Sequence, residues 1–220
     1  PFDMAILEAE ALCETLNPWA AIEVLQDVGR QLDQTGITSG PAWDVYQQSL
    51  AKALNKAGAS DKSLEMLESQ IEEQGPVGQD RQLTVFEVQL YNRYAIALSN
   101  AGRHEESARV LDMVVARCPI PMNSQQGLAL RSNWASELVA VDDPRGRREL
   151  QVVVADRTRL LGEDHPQTLW STVSLAKSLL QDGDPDGLPL LRRVFDVQEG
   201  CQSRTDLVTT GYLLITSMGA

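Results

Sequence analysis

Residues 91–119 read YNRYAIALSNAGRHEESARVLDMVVARCP. Tyr91, Tyr94, Ala95 and Leu98 recur at helical spacing, so they lie on one face of a helix. Gly102 then breaks the pattern as a turn residue does. Ser107, Leu111 and Val114 resume it on a second helix expected over Glu105 to Arg117, and Pro119 follows that helix. The stretch predicts two antiparallel helices joined by a tight turn, with small residues where large ones would hold the helices apart.

Outward from this stretch the same arrangement recurs. Ala9, Ala51, Ala95, Ala135 and Ala176 each sit in an apolar helical stretch, at spacings of 42, 44, 40 and 41 residues. A second small residue opens each following helix: Ala21, Ser63, Ser107, Gly146 and Gly187, spaced by 42, 44, 39 and 41. One helical turn on stand Leu25, Leu67, Leu111, Leu150 and Leu191. Three further on come Val28, Gln70, Val114, Val153 and Val194, with Gln70 the one departure. Turns are marked by Gly58, Gly102, Asp142-Asp143-Pro144 and Gly183-Asp184-Pro185, with Asp143 and Asp184 as helix caps. Asn17-Pro18 begins a helix in the same way. A single pair of this kind cannot bury its apolar face alone, so the pairs must stack.

The alternation of large and small residues resembles the tetratricopeptide repeat (TPR). Tyr91, Tyr94, Ala95, Leu98, Gly102, Ser107, Leu111 and Pro119 carry the best match. Leu161 to Leu169 (LGEDHPQTL), followed by Ser174-Leu175-Ala176, is similar to the longer kinesin-light-chain-type repeats, which also occur in the sensor ends of large signalling ATPases. The resemblance implies an all-α fold, a right-handed solenoid of antiparallel helix pairs forming one domain over 1–220. Its repeats fall at 1–38, 41–76, 80–120, 122–163 and 165–200, with a terminal helix over 204–218. The first and third are degenerate: residues 1–36 lack the turn glycine, and Glu8 stands where a large apolar residue is expected. Ending within a repeat, the chain reads as a piece of a longer protein.

Composition limits the function. Lys and Arg total 19 against 31 Asp and Glu, a net charge of −12, which disfavours nucleic acid and anionic lipid as partners. Aromatic residues are only 5%, so the core is built of Leu, Val, Ile and Ala. Cys13, Cys118 and Cys201 are far apart with no CxxC pair, which reads as thiols of a reducing compartment. No apolar run approaches the ~20 residues of a membrane span, and no signal peptide is visible, so a cytoplasmic location is expected.

No reaction chemistry is legible. His165 reads as a local helix cap and His104 as a solvated turn residue. HExxH, GxSxG, Cys/His zinc spacing and phosphate-binding glycine loops are all absent from the sequence. Gly183 to Gly187 lacks the calcium-loop pattern. Glu65, Glu68, Glu72 and Glu73, like Glu105 and Glu106, read as solvated helix faces. The chain is expected to be no enzyme and to need no cofactor or metal.

In the TPR family the first helix of each pair lines a concave groove. Carried over position by position, the resemblance places Gln48, Ser49, Lys52, Asn55 and Lys56 inward in the second repeat. The third gives Gln89, Asn92, Arg93, Ile96, Ser99 and Asn100, and the fourth Ser132, Asn133 and Ser136. The fifth gives Trp170, Val173, Ser174, Lys177 and Gln181. These include basic residues but no acidic one. Asn amides bond an extended peptide backbone through both donor and acceptor, Arg93, Lys52, Lys56 and Lys177 would pair with carboxylates, and Trp170 would anchor an apolar side chain. Asn133 matches the family's groove asparagine, whereas Arg93 and Ser174 replace it in neighbouring repeats. The expected function is a protein- or peptide-binding module, the sensing or scaffolding arm of a larger protein. Oligomerisation, or a regulatory spacer acting through the array ends or convex face, is the alternative.

Overall fold

The computed structural model describes residues 2–14, 17–75, 78 and 81–200. The terminal helix expected over 204–218, and Cys201, lie outside the described residues. Among those described there are ten α-helices and no strand. They pair as α1 (Phe2–Glu14) with α2 (Pro18–Gln34), α3 (Pro41–Lys56) with α4 (Ser60–Gln74), and α5 (Val85–Asn100) with α6 (His104–Arg117). Next come α7 (Gln125–Ala140) with α8 (Arg145–Leu161), and α9 (Pro166–Gln181) with α10 (Gly187–Gly200). The first three pairs belong to one compact unit, running through Pro119, and the last two to a second, starting at Ile120.

The small residues sit where the paired helices cross. Ala9, Ala51, Ala95, Ala135 and Ala176 are all fully buried, as are Ala21, Ser63 and Ser107 opposite them. The Ser63 hydroxyl donates to the Ala51 carbonyl at 3.4 Å, and Ser107 to the Ala95 carbonyl at 2.8 Å. In the second unit glycine takes this place. A Cβ on Gly146 would stand 2.6 Å from the Val139 nitrogen and 2.9 Å from the Ala135 oxygen. On Gly187 it would stand 2.7 Å from the Ala176 oxygen. The leucine series behind them is buried throughout, and so is the valine series. Gln70 is buried with the rest at 4% exposure, and neither end of its amide has a hydrogen-bond partner.

Apolar clusters join a pair to the first helix of the next. Ile6, Ala9, Ile22 and Leu25 pack with Ala53 and Leu54; Leu64 and Leu67 pack with Leu90, Ala97 and Leu98. In the second unit Ala135 and Leu150 pack with Leu175 and Leu179. A further cluster closes the last pair on itself, with Leu169 and Ala176 against Leu191 and Val194.

The turns within pairs two to five are one structure used four times. Residue 58, 102, 142 or 183 takes positive φ, and the amide after it reaches back to the helix. The bonds run from Ala59 to Leu54, Arg103 to Leu98, Asp143 to Leu138 and Asp184 to Leu179, at 2.8–2.9 Å. This closes the helix C-terminus on its own orphan carbonyls. Asp142, at φ 57°, is the one residue of the four other than glycine.

Helix starts are capped as the sequence suggests at Asn17, whose Oδ1 accepts from the Ala20 amide, and at His165, whose Nδ1 accepts from the Gln167 amide. Asp143 and Asp184 accept from the amides two residues on. α5 has a full capping box: the Glu87 amide donates to the Thr84 hydroxyl, and the Thr84 amide to the Glu87 carboxylate at 2.7 Å. The Arg81 guanidinium grips that carboxylate too, and chiefly for this reason the Glu87 pKa falls to about 2.

Two outcomes are expected. Gly146→Ala should cost about 1–3 kcal/mol in chemical denaturation, because its methyl meets backbone on the facing helix, whereas Ser107→Ala should cost only about 1 kcal/mol for one hydrogen bond. The Glu87 pKa is depressed in the folded state, so its stabilisation is complete above about 4.5 and is lost as pH falls towards about 2. Glu87→Gln should remove that part of the acid limb of a stability–pH curve and cost ~1–2 kcal/mol at neutral pH.

Candidate functional site

In the second unit, the exposed edges of α7 and α9 enclose a cavity of about 300 Å³. The capped helix starts fix the register: the Gly127 amide donates to the Ser124 hydroxyl at 3.1 Å at the head of α7, and His165 caps α9. Ser132, Asn133 and Ser136 then share one face of α7, and Trp170 and Ser174, one turn apart, face them from α9 together with Gln167. Asn133, Ser136, Trp170 and Ser174 are thereby brought around one space. Trp170 is 64% exposed, a large aromatic surface left in water. Lys177 lies further along α9, exposed, and does not line the cavity.

The remaining wall is Arg157, from α8, which the groove pattern misses. It is only 5% exposed. One guanidinium nitrogen donates to the Gln167 carbonyl at 2.7 Å and to the Ser171 hydroxyl, the other to the Leu128 carbonyl at 3.3 Å. Its Nε has no partner, nor does the buried Gln167 Oε1. No ion pair to Arg157 exists among the described residues, and burial alone pushes its pKa down. A guanidinium nonetheless stays charged. The signal was present in the sequence: Arg157 stands four residues after Val153, where α2 has the fully buried Leu32 four after Val28.

In the first unit the residues on α3 and α5 are arranged differently. Arg93 donates to the Gln48 carbonyl, and the Asn55 amide donates to the Arg93 carbonyl at 3.5 Å. Gln48 and Asn55 are buried, and burial lowers the Arg93 pKa against the opposing pull of Glu10. These three therefore tie α3 to α5. Lys56 reaches across to the Cys13 carbonyl at 3.2 Å. Lys52, Asn92 and Ile96 are half-buried, and Gln89 is exposed. Ser49 and Val173, at 4% and 8% exposure, face helix packing.

Among the described residues no group of three or more His, Cys, Asp or Glu is placed to hold a metal ion. No described helix is long and apolar enough to cross a membrane.

No protein-family model matches the sequence, and no curated protein matches it. Solved structures do match the fold. Two crystal structures, one of them of a single-residue variant, show the nearly identical TPR-like repeats of a Podosopora anserina protein that carries the kinesin light chain name. They superpose with TM-scores of 0.68 and 0.66 at 21% and 22% identity, over 91% of this chain and 95% and 96% of theirs. BtubC (BKLC) from P. vanneervenii matches with a TM-score of 0.63 at 16% identity, over 99% of this chain and 83% of its own. The fold is that of TPR-like repeats.

If Arg93 ties helices together while Lys177 stands in solvent, truncation separates them. Arg93→Ala should lower stability by about 2 kcal/mol in urea denaturation, and Lys177→Ala should stay within about 0.5 kcal/mol of the parent.

Proposed function

We propose that this chain is a non-catalytic binding module that takes an extended peptide segment of another protein, as the sensing or scaffolding arm of a larger assembly. The observation that carries this reading is the cavity between α7 and α9, where Asn133, Ser136 and Ser174 supply polar contacts beside the exposed Trp170 ring. Few convergent polar groups around a concave surface with an aromatic wall are the chemistry of a recognition site. TPR-like neighbours support the same reading through the fold alone. On the first unit, the half-buried Lys52, Asn92 and Ile96 with the exposed Gln89 make the corresponding contact surface, while Gln48, Asn55 and Arg93 hold its two helices in register.

A second reading has its own observation. Met4 and Leu7, on one face of α1, are 72% and 58% exposed, an apolar edge suited to a second copy or a neighbouring domain. Sedimentation separates the two readings: self-association abolished by Leu7→Glu would support this edge as the working surface.

The test of the leading reading is capture of partners from a native lysate on the immobilised chain, beside an Asn133→Ala/Trp170→Ala variant of equal helicity. Recovery of a bound protein should fall roughly tenfold or more, as expected from loss of an aromatic anchor. Equal recovery on both would overturn the assignment of recognition to this face.

A further inference from the structure

We propose that the C-terminal end of α4, from Gln70 to Gly75, is a switch segment that unwinds and reseals while the rest of pair two stays folded, and that Gln70 sets its equilibrium. The device belongs to α4 alone and is independent of what the chain binds.

Gln70 stands apart from its own series. Its counterparts Val28, Val114, Val153 and Val194 are at most 2% exposed, and Gln70, at 4%, lies about as deep. A valine leaves nothing unsatisfied there. Gln70 brings a donor, Nε2, and an acceptor, Oε1, and among the described residues neither has a partner. A buried amide in this state has lost its hydration and gained no bond in exchange, whereas in water the same amide is fully satisfied. The side chain is therefore a standing bias towards the state in which it leaves the seam.

The helix end that would hold it is weakly secured. α2 ends on Thr35, whose hydroxyl donates to the Leu32 carbonyl at 2.9 Å. α6 ends on Arg117, whose carbonyl accepts from the Leu83 amide at 2.9 Å, and α8 has Arg159 in its last turn. At the end of α4 the Gly75 amide donates to the Glu72 carbonyl at 3.0 Å. The last turn of α4 has no basic residue, and Glu72 and Glu73 put two carboxylates at the negative end of the helix dipole. Apolar hold beyond Gln70 comes from Ile71, half-buried against the cluster of Leu64, Leu67 and Leu90; Glu72, Glu73 and Gln74 are exposed.

What precedes Gln70 is fixed. Ser63 donates to the Ala51 carbonyl, and Leu64 and Leu67 pack with Leu90, Ala97 and Leu98 of α5. The boundary between the fixed and the switching part thus falls between Leu67 and Gln70. Unwinding beyond it gives up the contact of Ile71 and a few exposed backbone bonds, and satisfies the Gln70 amide. Such an exchange of small terms places the two states close in free energy.

The experiment is native-state amide hydrogen exchange of the full chain, labelled with nitrogen-15 and read residue by residue as protection factors. Residues 71–73 should be at least roughly tenfold less protected than 115–117, the same positions on α6, and less protected than 64–67 of α4 itself. Their exchange should be nearly insensitive to low urea, because a local opening exposes little surface. Gln70→Val should raise protection at 71–73 by roughly tenfold or more, and Gln70→Leu, at equal helicity, should act in the same direction. Glu72→Lys/Glu73→Lys should raise it by a smaller factor, about threefold. Protection at 71–73 equal to that at 115–117 in the parent chain would overturn the proposal, since the amide would then be satisfied where it lies. So would unchanged protection at 71–73 in Gln70→Val, or a rise shared equally by 64–67, which reports global stability and no local switch.

Discussion

Helix pairs two to five are each organised by the point where the second helix comes against the carbonyl of a buried alanine on the first. At pairs two and three a serine reaches that carbonyl and donates to it; at pairs four and five a glycine lies so close that even a methyl would collide with it. At the two glycines nothing larger fits, and the positions that follow along each second helix are set from this point. The leucine one turn on and the valine after it fall into the apolar seam, which closes at a few per cent exposure or less. Gln70 shows that the geometry dominates over the chemistry of any one side chain. A glutamine at this position is buried like the valines, leaving its amide unsatisfied.

Because the crossing residues and their leucines take up the inner faces, the outer faces of the first helices are left to polar residues. Two arginines show how differently such residues are used. Arg93 bridges α3 and α5 through the Gln48 carbonyl and has Glu10 near enough to favour its charge. Arg157 bridges α7, α8 and α9 through three neutral acceptors and has no such neighbour. One is a tie within the stack; the other is a tie that also gives a cavity its electrostatic sign.

The architecture was legible in the sequence because it is written in residue size at fixed intervals. The alanine, small-residue, leucine and valine series read there are the buried series of the structure, and Gly58, Gly102 and Gly183 take the positive φ that made them readable as turns. Polar residues were less legible. A helical period separates apolar from polar positions, but does not separate a polar residue in water from one that reaches a neighbouring helix's carbonyl. Gln48, Asn55 and Arg93 share the spacing of groove residues and are held in contacts between helices. Arg157 escapes the groove pattern for the converse reason: it lies on a second helix, where the helical period marks the apolar stripe and not the one cation within it. The Thr84–Glu87 box was readable as Thr-x-x-Glu, but Arg81, its third member, precedes the helix and follows no period.

The two chemistries at the crossing point track how far the crossing residue stands from the turn. From the residue of positive φ to the crossing residue is five positions in pairs two and three, Gly58 to Ser63 and Gly102 to Ser107. It is four in pairs four and five, Asp142 to Gly146 and Gly183 to Gly187. Gly146 and Gly187 thus stand at the second and first positions of their helices, against the fourth for Ser63 and Ser107, and so close to the turn only glycine fits. The place of the crossing point along the second helix and the size of the residue there are therefore one constraint: a serine is accommodated a full turn into the helix, and only glycine within its first two residues.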